Sequence, residues 1–97
     1  MAFSVEVSPG AKLDLSSAFD WYREKSSKAG NAFRAEVLGV FDLLSEDPGR
    51  WAVWDGDIRR FVMKRYPYTV YFEIDEAIVR ILAVGHHRRA PRYWSGG

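Results

Sequence analysis

The residues best suited to chemistry are concentrated near the C-terminal end of the chain. Residues 86–94 read His-His-Arg-Arg-Ala-Pro-Arg-Tyr-Trp. A metal-free ribonuclease needs a base to activate a 2′-hydroxyl, an acid to protonate the leaving oxygen and an arginine to stabilise the transition-state charge. Histidine, arginine and tyrosine supply these groups, and the ring of Tyr93 or Trp94 offers a surface on which a base can stack. The alternative is a basic tail whose Trp94 covers the end of the core.

A second basic cluster, Arg59, Arg60, Lys64 and Arg65, precedes this segment. Arginine suits phosphate because its guanidinium is always charged and donates hydrogen bonds in a fork. On a strand, alternation places Arg60 and Lys64 on one face and Arg59 and Arg65 on the other. The alternative is a strand face kept soluble by charge, which applies above all to Arg59 because it lies beside a loop.

Other common catalytic signatures are missing from the sequence. It has no cysteine, no glycine-rich phosphate loop, no His-Glu-x-x-His and no Gly-x-Ser-x-Gly motif. His86 and His87 are adjacent, so on a strand they point to opposite faces and cannot chelate one ion. No Asp, Glu or Cys follows them to complete a site. We therefore expect neither a metal nor an organic cofactor.

The chain has 97 residues, a length that suffices for a single domain. Charge is distributed unevenly along it. Residues 1–57 hold six Lys and Arg against ten Asp and Glu, whereas residues 58–97 hold eight against three. The basic half is suited to RNA, DNA or an acidic protein, with a solvated arginine-rich surface as the alternative. We see no secretory signal and no run long enough to span a membrane, and the absence of cysteine fits a reducing cytoplasm.

Hydrophobic periodicity predicts the elements that must position these residues. Alternation predicts a short strand over residues 3–7, and a 3.6-residue period predicts a helix from Lys12 onward. Ser8 is suited to cap that helix with Pro9 at its first position, and Ser26-Ser27 ends it and offers a cap for the next. The second helix stops at Asp47-Pro48-Gly49. The side chains expected to pack the two helices on a sheet are Leu15, Phe19, Phe33, Val37, Phe41 and Leu44.

The second half of the chain has strand signals. Residues 50–57 are predicted as a loop that includes Trp51 and Trp54, and strands follow over residues 58–63, 68–74 and 78–84. The predicted order is therefore β-α-α-β-β-β, an α+β domain in which a helical hairpin packs on a C-terminal antiparallel β-meander.

Several segments together identify a family. They are Ile58-Arg59-Arg60-Phe61, residues 65–72 (Arg-Tyr-Pro-Tyr-Thr-Val-Tyr-Phe), residues 79–84 and His87-Arg88-Arg89. With the element order and the Asp-Pro-Gly helix end, they resemble the RelE/ParE superfamily, the toxins of bacterial type II toxin–antitoxin modules, often labelled plasmid stabilisation proteins. The resemblance covers nearly the whole chain. It implies one toxin domain, residues 1–97, neutralised by a small antitoxin that wraps it with a helix or a strand.

Two activities occur in this superfamily. RelE-like members cut mRNA in the ribosome, and ParE-like members inhibit DNA gyrase. The Arg-Tyr-Pro-Tyr stretch and residues 81–89 are closer to ParE, which implies growth inhibition through gyrase binding in the cytoplasm. The alternative is a ribosome-dependent mRNA interferase. For that activity the resemblance implies a catalytic set consisting of Arg60, Arg65, His87, Arg88 and Tyr93.

We also predict where the basic residues meet. A β-meander brings the second strand and the end of the fourth into one sheet, so Arg60, Arg65, His87 and Arg88 are expected to form one surface. If that surface is not the functional one, the loop containing Trp51 and Trp54 is the next candidate.

Overall fold

The computed structural model describes residues 2–88 of the chain. Its elements are β1 (Ser4–Val7), α1 (Pro9–Lys25), α2 (Ser27–Glu46), a 3₁₀ turn (Pro48–Arg50), β2 (Val53–Asp55), β3 (Ile58–Val62), β4 (Tyr68–Asp75) and β5 (Ile78–His86). The α+β class and the helical hairpin are confirmed. The sheet contains one strand more than the sequence predicted.

Serine caps set the start of both helices. The Ser8 hydroxyl accepts a hydrogen bond at 3.1 Å from a main-chain N–H three residues ahead, and Pro9 follows where its missing N–H needs no partner. Ser26 is extended, so it ends α1 and caps α2. Gly30 then allows the helices to approach each other, because a Cβ there would lie 3.1 Å from the Arg23 Cα.

The five strands form a single sheet in the order β1-β5-β4-β3-β2. β1 is parallel to β5, and the other neighbours are antiparallel. β1 pairs with β5 only as far as Val7, which lies opposite Ile81. Within residues 2–88, the C-terminal part of β5, beyond Ile81, therefore has no strand on its outer side.

One face of the sheet packs against the helices and forms the core. Phe33 and Leu44 of α2 are fully buried in the same cluster as Val70, Phe72 and Ile81 of the sheet. These buried residues lie on the apolar stripe of α2 and on alternate positions of β4 and β5. Neither helix of the described residues is long and apolar enough to cross a membrane.

The predicted helical stripe is only partly buried. Val37 is buried with Phe33 and Leu44, but Leu15, Phe19 and Phe41 are half-buried at the margin of the core. These three side chains lie where α1 and α2 meet solvent. The hairpin therefore packs on the sheet with one part of its apolar surface and leaves another part accessible.

The structure corrects two predicted boundaries. The segment 50–57 is not wholly loop, because β2 pairs with β3 through a tight turn in which Gly56 has a φ of 58°, a left-handed value that glycine adopts readily. β5 also continues past residue 84 to His86. His86 therefore belongs to the sheet and not to the basic tail.

Candidate interaction surfaces

The adjacent arginines of β3 lie on opposite faces of the sheet, as alternation predicted. Arg59 lies on the side of the helices and donates hydrogen bonds to the main-chain oxygens of Trp51, at 2.6 Å, and Gly49, at 3.4 Å. It therefore ties the segment after α2 to β3. Arg60 lies on the opposite face, is exposed, and forms no ion pair with any residue in the range 2–88.

Arg60 is part of a cluster on that opposite face, formed by Trp54, Arg60, Val62 and Tyr71, which we call the tryptophan–arginine patch. The guanidinium carbon of Arg60 lies 6.0 Å from the centre of the Trp54 ring, and the Trp54 and Tyr71 ring centres are 5.0 Å apart. The β3–β4 register, which pairs Arg60 with Tyr71, fixes this arrangement. A shallow cavity of about 510 Å³ adjoins the patch, with Trp51 in its wall.

Carboxylates surround the other arginine on this face. Arg80 lies 3.2 Å from Glu73, 3.3 Å from Asp75 and 3.8 Å from Glu6. Hydrogen bonds from its side chain to Glu73 and then to Asp75 raise the pKa of Arg80 above its ordinary value. Three carboxylates thus face one guanidinium, so this part of the sheet presents net negative charge.

The predicted basic surface is divided between the two sides of the sheet. Arg65 lies 3.9 Å from Glu36 of α2, and Arg88 borders a groove beside α1, so both are on the helix side. Arg60 is on the other side of the sheet, and His87 lies in the turn that follows β5. Two spacings between neighbouring strands and four residues along β5 separate the Cα atoms of Arg60 and His87, which is roughly 16 Å. The prediction that the four residues form one surface is therefore wrong, and Tyr93 lies outside the described residues.

A groove that sequence reasoning missed lies between α1 and the end of β5; we call it the edge groove. Its volume is about 420 Å³, and its walls include Asp14, Trp21, Tyr68, His86 and Arg88. The His86 and Tyr68 ring centres are 5.2 Å apart, and the Arg88 main-chain N–H donates to His86 Nδ1 at 3.1 Å. No local motif joins α1 to residues so far along the chain, so only the tertiary fold reveals this groove.

An aromatic cluster supports the wall of the edge groove. The Tyr22 ring lies 4.9 Å from that of Phe33 and 5.2 Å from that of Tyr66, and Phe33 also contacts Tyr68 at 5.7 Å between ring centres. Burial is the main cause that raises the pKa of Tyr22 above its ordinary value, and electrostatic interaction with Tyr68 and Tyr66 raises this pKa further. The cluster joins α1, α2 and β4, and it fixes the position of Tyr68.

The outer surface of the helical hairpin carries a third concavity, which we call the hairpin groove. Its volume is about 340 Å³, and it is lined mainly by apolar side chains that include Leu15, Phe19, Val37, Leu38 and Phe41. Leu38 is 51% exposed. The half-buried members of the predicted stripe therefore line an apolar surface that meets solvent.

Within residues 2–88, no group of three or more His, Asp or Glu side chains is arranged to hold a metal ion. Both described histidines are in or next to β5, where His86 faces the edge groove and His87 follows the strand.

The sequence matches a known protein family over most of its length. Residues 5–91 match the family model of the ParE toxin of the type II toxin–antitoxin system, parDE. The chain therefore belongs to the ParE toxin family. Comparison with curated protein sequences gave no significant match.

Solved structures agree with this fold. The chromosomal ParDE toxin–antitoxin system from Pseudomonas aeruginosa superposes with a TM-score of 0.74 at 19% identity, covering 88% of this chain and 96% of that one. The RelBE2 toxin–antitoxin complex from Mycobacterium tuberculosis gives 0.65 at 22% identity, with coverages of 89% and 99%. A free Escherichia coli RelE variant gives 0.56 at 14% identity, with coverages of 91% and 86%.

Proposed function

We propose that this ParE-family chain is a cytoplasmic toxin that stops growth by binding DNA gyrase, and that a cognate antitoxin neutralises it. The tryptophan–arginine patch is the surface that we assign to the target. Trp, Tyr and Arg are the residue types that contribute most to protein–protein affinity, and here all three lie side by side on the adjacent strands β2, β3 and β4. The exposed Val62 extends the apolar contact area.

The observation that favours target binding over RNA cleavage is the charge of the sheet face that carries the patch. Among the described residues Arg60 has no carboxylate partner there, but Arg80 is surrounded by Glu6, Glu73 and Asp75. An RNA strand needs several unpaired cations along its path, because neutralising successive phosphates supplies most of its affinity. A protein surface that offers a carboxylate to Arg60 and an apolar side chain to Trp54 suits this face better.

The hairpin groove supports the second half of the proposal. It is an apolar channel between two helices, with Leu38 half exposed at its rim. Such a groove suits the apolar face of an amphipathic helix. The P. aeruginosa and M. tuberculosis structures are of toxin–antitoxin systems. We therefore expect an antitoxin helix to cover the hairpin groove, in a toxin–antitoxin hetero-oligomer.

Inducible expression with two parallel readouts tests the target. We expect growth arrest with a DNA-damage response and impaired supercoiling, while mRNA stays intact, and rescue when the antitoxin is co-expressed. Arg60→Ala should reduce toxicity, and Lys28→Ala, a change at an exposed cation outside the patch and the grooves, is the control. Rapid ribosome-dependent mRNA cleavage that falls about 10²-fold in His87→Gln would instead identify an mRNA interferase, because losses of that size follow removal of a general acid or base.

A further inference from the structure

The outer face of α2 carries an apolar residue between two opposite charges. Leu38 is 51% exposed and lines the hairpin groove together with the half-buried Phe41. Arg34 precedes Leu38 by four residues and Asp42 follows it by four, so both lie about one helical turn away on the same face. Both are exposed, and neither forms an ion pair with any residue in the range 2–88.

This equal spacing makes the face complementary to itself. When a second α2 lies antiparallel across the first with a two-fold axis at Leu38, Arg34 of each copy faces Asp42 of the other. The same axis places Ala35 of each copy opposite Phe41 of the other, because each is three residues from Leu38. The arrangement therefore matches a cation with an anion and a small side chain with a large one.

Gly39, next to Leu38, supports a close approach of another chain. It lies exposed in the interior of α2, and a Cβ there would meet no heavy atom within 4 Å. Glycine destabilises an exposed helix interior relative to alanine, so packing within the described part of the chain does not explain it. A second helix crossing at Leu38 would explain it, because a small residue at the crossing brings two helices closer together.

We infer that the toxin without its antitoxin forms a two-fold homodimer through the hairpin groove. Leu38 of each copy enters the groove of the other, and two Arg34–Asp42 ion pairs flank the contact. The homodimer itself does not depend on the proposed function. Its competition with the antitoxin rests on that function, because one groove cannot hold both helices. The tryptophan–arginine patch lies on the opposite side of the sheet, so it stays exposed in the homodimer.

Sedimentation equilibrium of the purified toxin with reversed charges tests the inference. Arg34→Glu and Asp42→Lys should each weaken the homodimer at least tenfold, because each change brings like charges together at both ends of the contact. An equimolar mixture of the two variants should associate about as tightly as the wild type, since opposite charges meet again. Lys28→Glu, a reversal at an exposed position of α2 outside the groove, is the control and should change little.

Two results of this experiment would overturn the inference. One is a wild-type toxin that stays monomeric up to about 0.1 mM, a concentration at which even weak specific pairs associate. The other is a mixture of the two variants that associates no better than either variant alone. Neither result bears on the binding of the target or the antitoxin, so the proposed function would stand.

A disulfide cross-link provides a second measurement, because the natural chain has no cysteine. Leu38→Cys places one thiol of each copy at the two-fold axis, within the short distance that a disulfide requires. Oxidation should cross-link this variant at least tenfold faster than Lys28→Cys, and equal rates would overturn the inference. Antitoxin added first should prevent the cross-link. An undiminished cross-link in the antitoxin complex would support the homodimer and contradict the proposed place of the antitoxin helix.

Discussion

At the scale of single residues, Arg59 and Arg60 are neighbours in sequence with different surroundings. Arg59 donates to two main-chain oxygens of the segment after α2, the shorter bond being 2.6 Å. Arg60 forms no ion pair with any residue in the range 2–88, and its guanidinium carbon lies 6.0 Å from the centre of the Trp54 ring. Because alternation places the two side chains on opposite faces, replacing Arg59 should affect folding, whereas replacing Arg60 should affect target binding.

We therefore expect Arg59→Ala to lower the free energy of unfolding by about 1–3 kcal/mol, since two main-chain acceptors lose a charged donor. Arg60→Ala should lower it by less than about 0.5 kcal/mol, as exposed side chains without partners contribute little. Urea denaturation of the two variants checks this difference. Equal destabilisation by both would contradict the separation of roles.

Glu76 is the residue whose backbone conformation fits its type least well. It is the first of two residues in the β4–β5 turn, and its φ is 55°, in the left-handed region. That conformation costs a non-glycine residue about 1–2 kcal/mol. Glu76→Gly should therefore stabilise the protein by about 0.5–1 kcal/mol after the added chain entropy of glycine is subtracted. Ala77→Gly, where φ is not positive, is the control and should not stabilise the protein.

At the scale of elements, α2 connects the core to the hairpin groove. Phe33 is fully buried, whereas Phe41 is half-buried and lines the groove. Phe33→Ala should lower the free energy of unfolding by about 3–5 kcal/mol, and Phe41→Ala by about 1–2 kcal/mol because it removes less buried surface. Phe41→Ala should also weaken antitoxin binding. Equal losses of stability in the two variants would show that Phe41 belongs to the core.

The aromatic cluster between α1, α2 and β4 predicts a pH dependence. Burial raises the pKa of Tyr22 above 10.0, so in the folded protein the neutral phenol persists to higher pH than in the unfolded chain. The stabilising contribution of Tyr22 is fully present below pH 10, and it is lost as the pH rises from there through the pKa of Tyr22 in the folded protein. Tyr22→Phe should therefore flatten the alkaline fall in unfolding free energy. An unchanged slope above pH 10 would contradict this cause.

The elements were predictable from sequence where the signal is local. The stripe through Phe33, Val37 and Leu44 repeats at helical spacing, and the Ser8–Pro9 and Ser26 caps are short motifs. β2 was missed because three residues are too few for a periodic pattern. The edge groove was missed because it lies between α1 and the end of β5, two elements that are far apart in sequence.

At the scale of the whole molecule, the sheet separates the basic residues that the sequence groups together. Residues 58–97 hold eight basic residues against three acidic ones, but Arg65 and Arg88 lie on the helix side while Arg60 lies on the other. Alternation correctly predicted the faces of Arg59 and Arg60. It did not predict that Arg80 of β5 would gather three carboxylates beside the patch, since one of these comes from β1 and two from β4.

Two surfaces thus have separate proposed roles. We propose that the tryptophan–arginine patch binds the target and that the hairpin groove binds the antitoxin. Since the patch and the hairpin groove are on opposite sides of the sheet, an antitoxin that fills only the groove leaves the patch exposed. It must then neutralise the toxin by extending around the sheet or by obstructing the approach of the target.

The most direct test of the central claim is a DNA supercoiling assay with purified gyrase and purified toxin. We expect the wild-type toxin to inhibit supercoiling, the antitoxin to reverse the inhibition, and Arg60→Ala to require at least tenfold more protein for the same effect. His87→Gln should inhibit as well as the wild type. Undiminished supercoiling at a large molar excess of correctly folded toxin would contradict the claim.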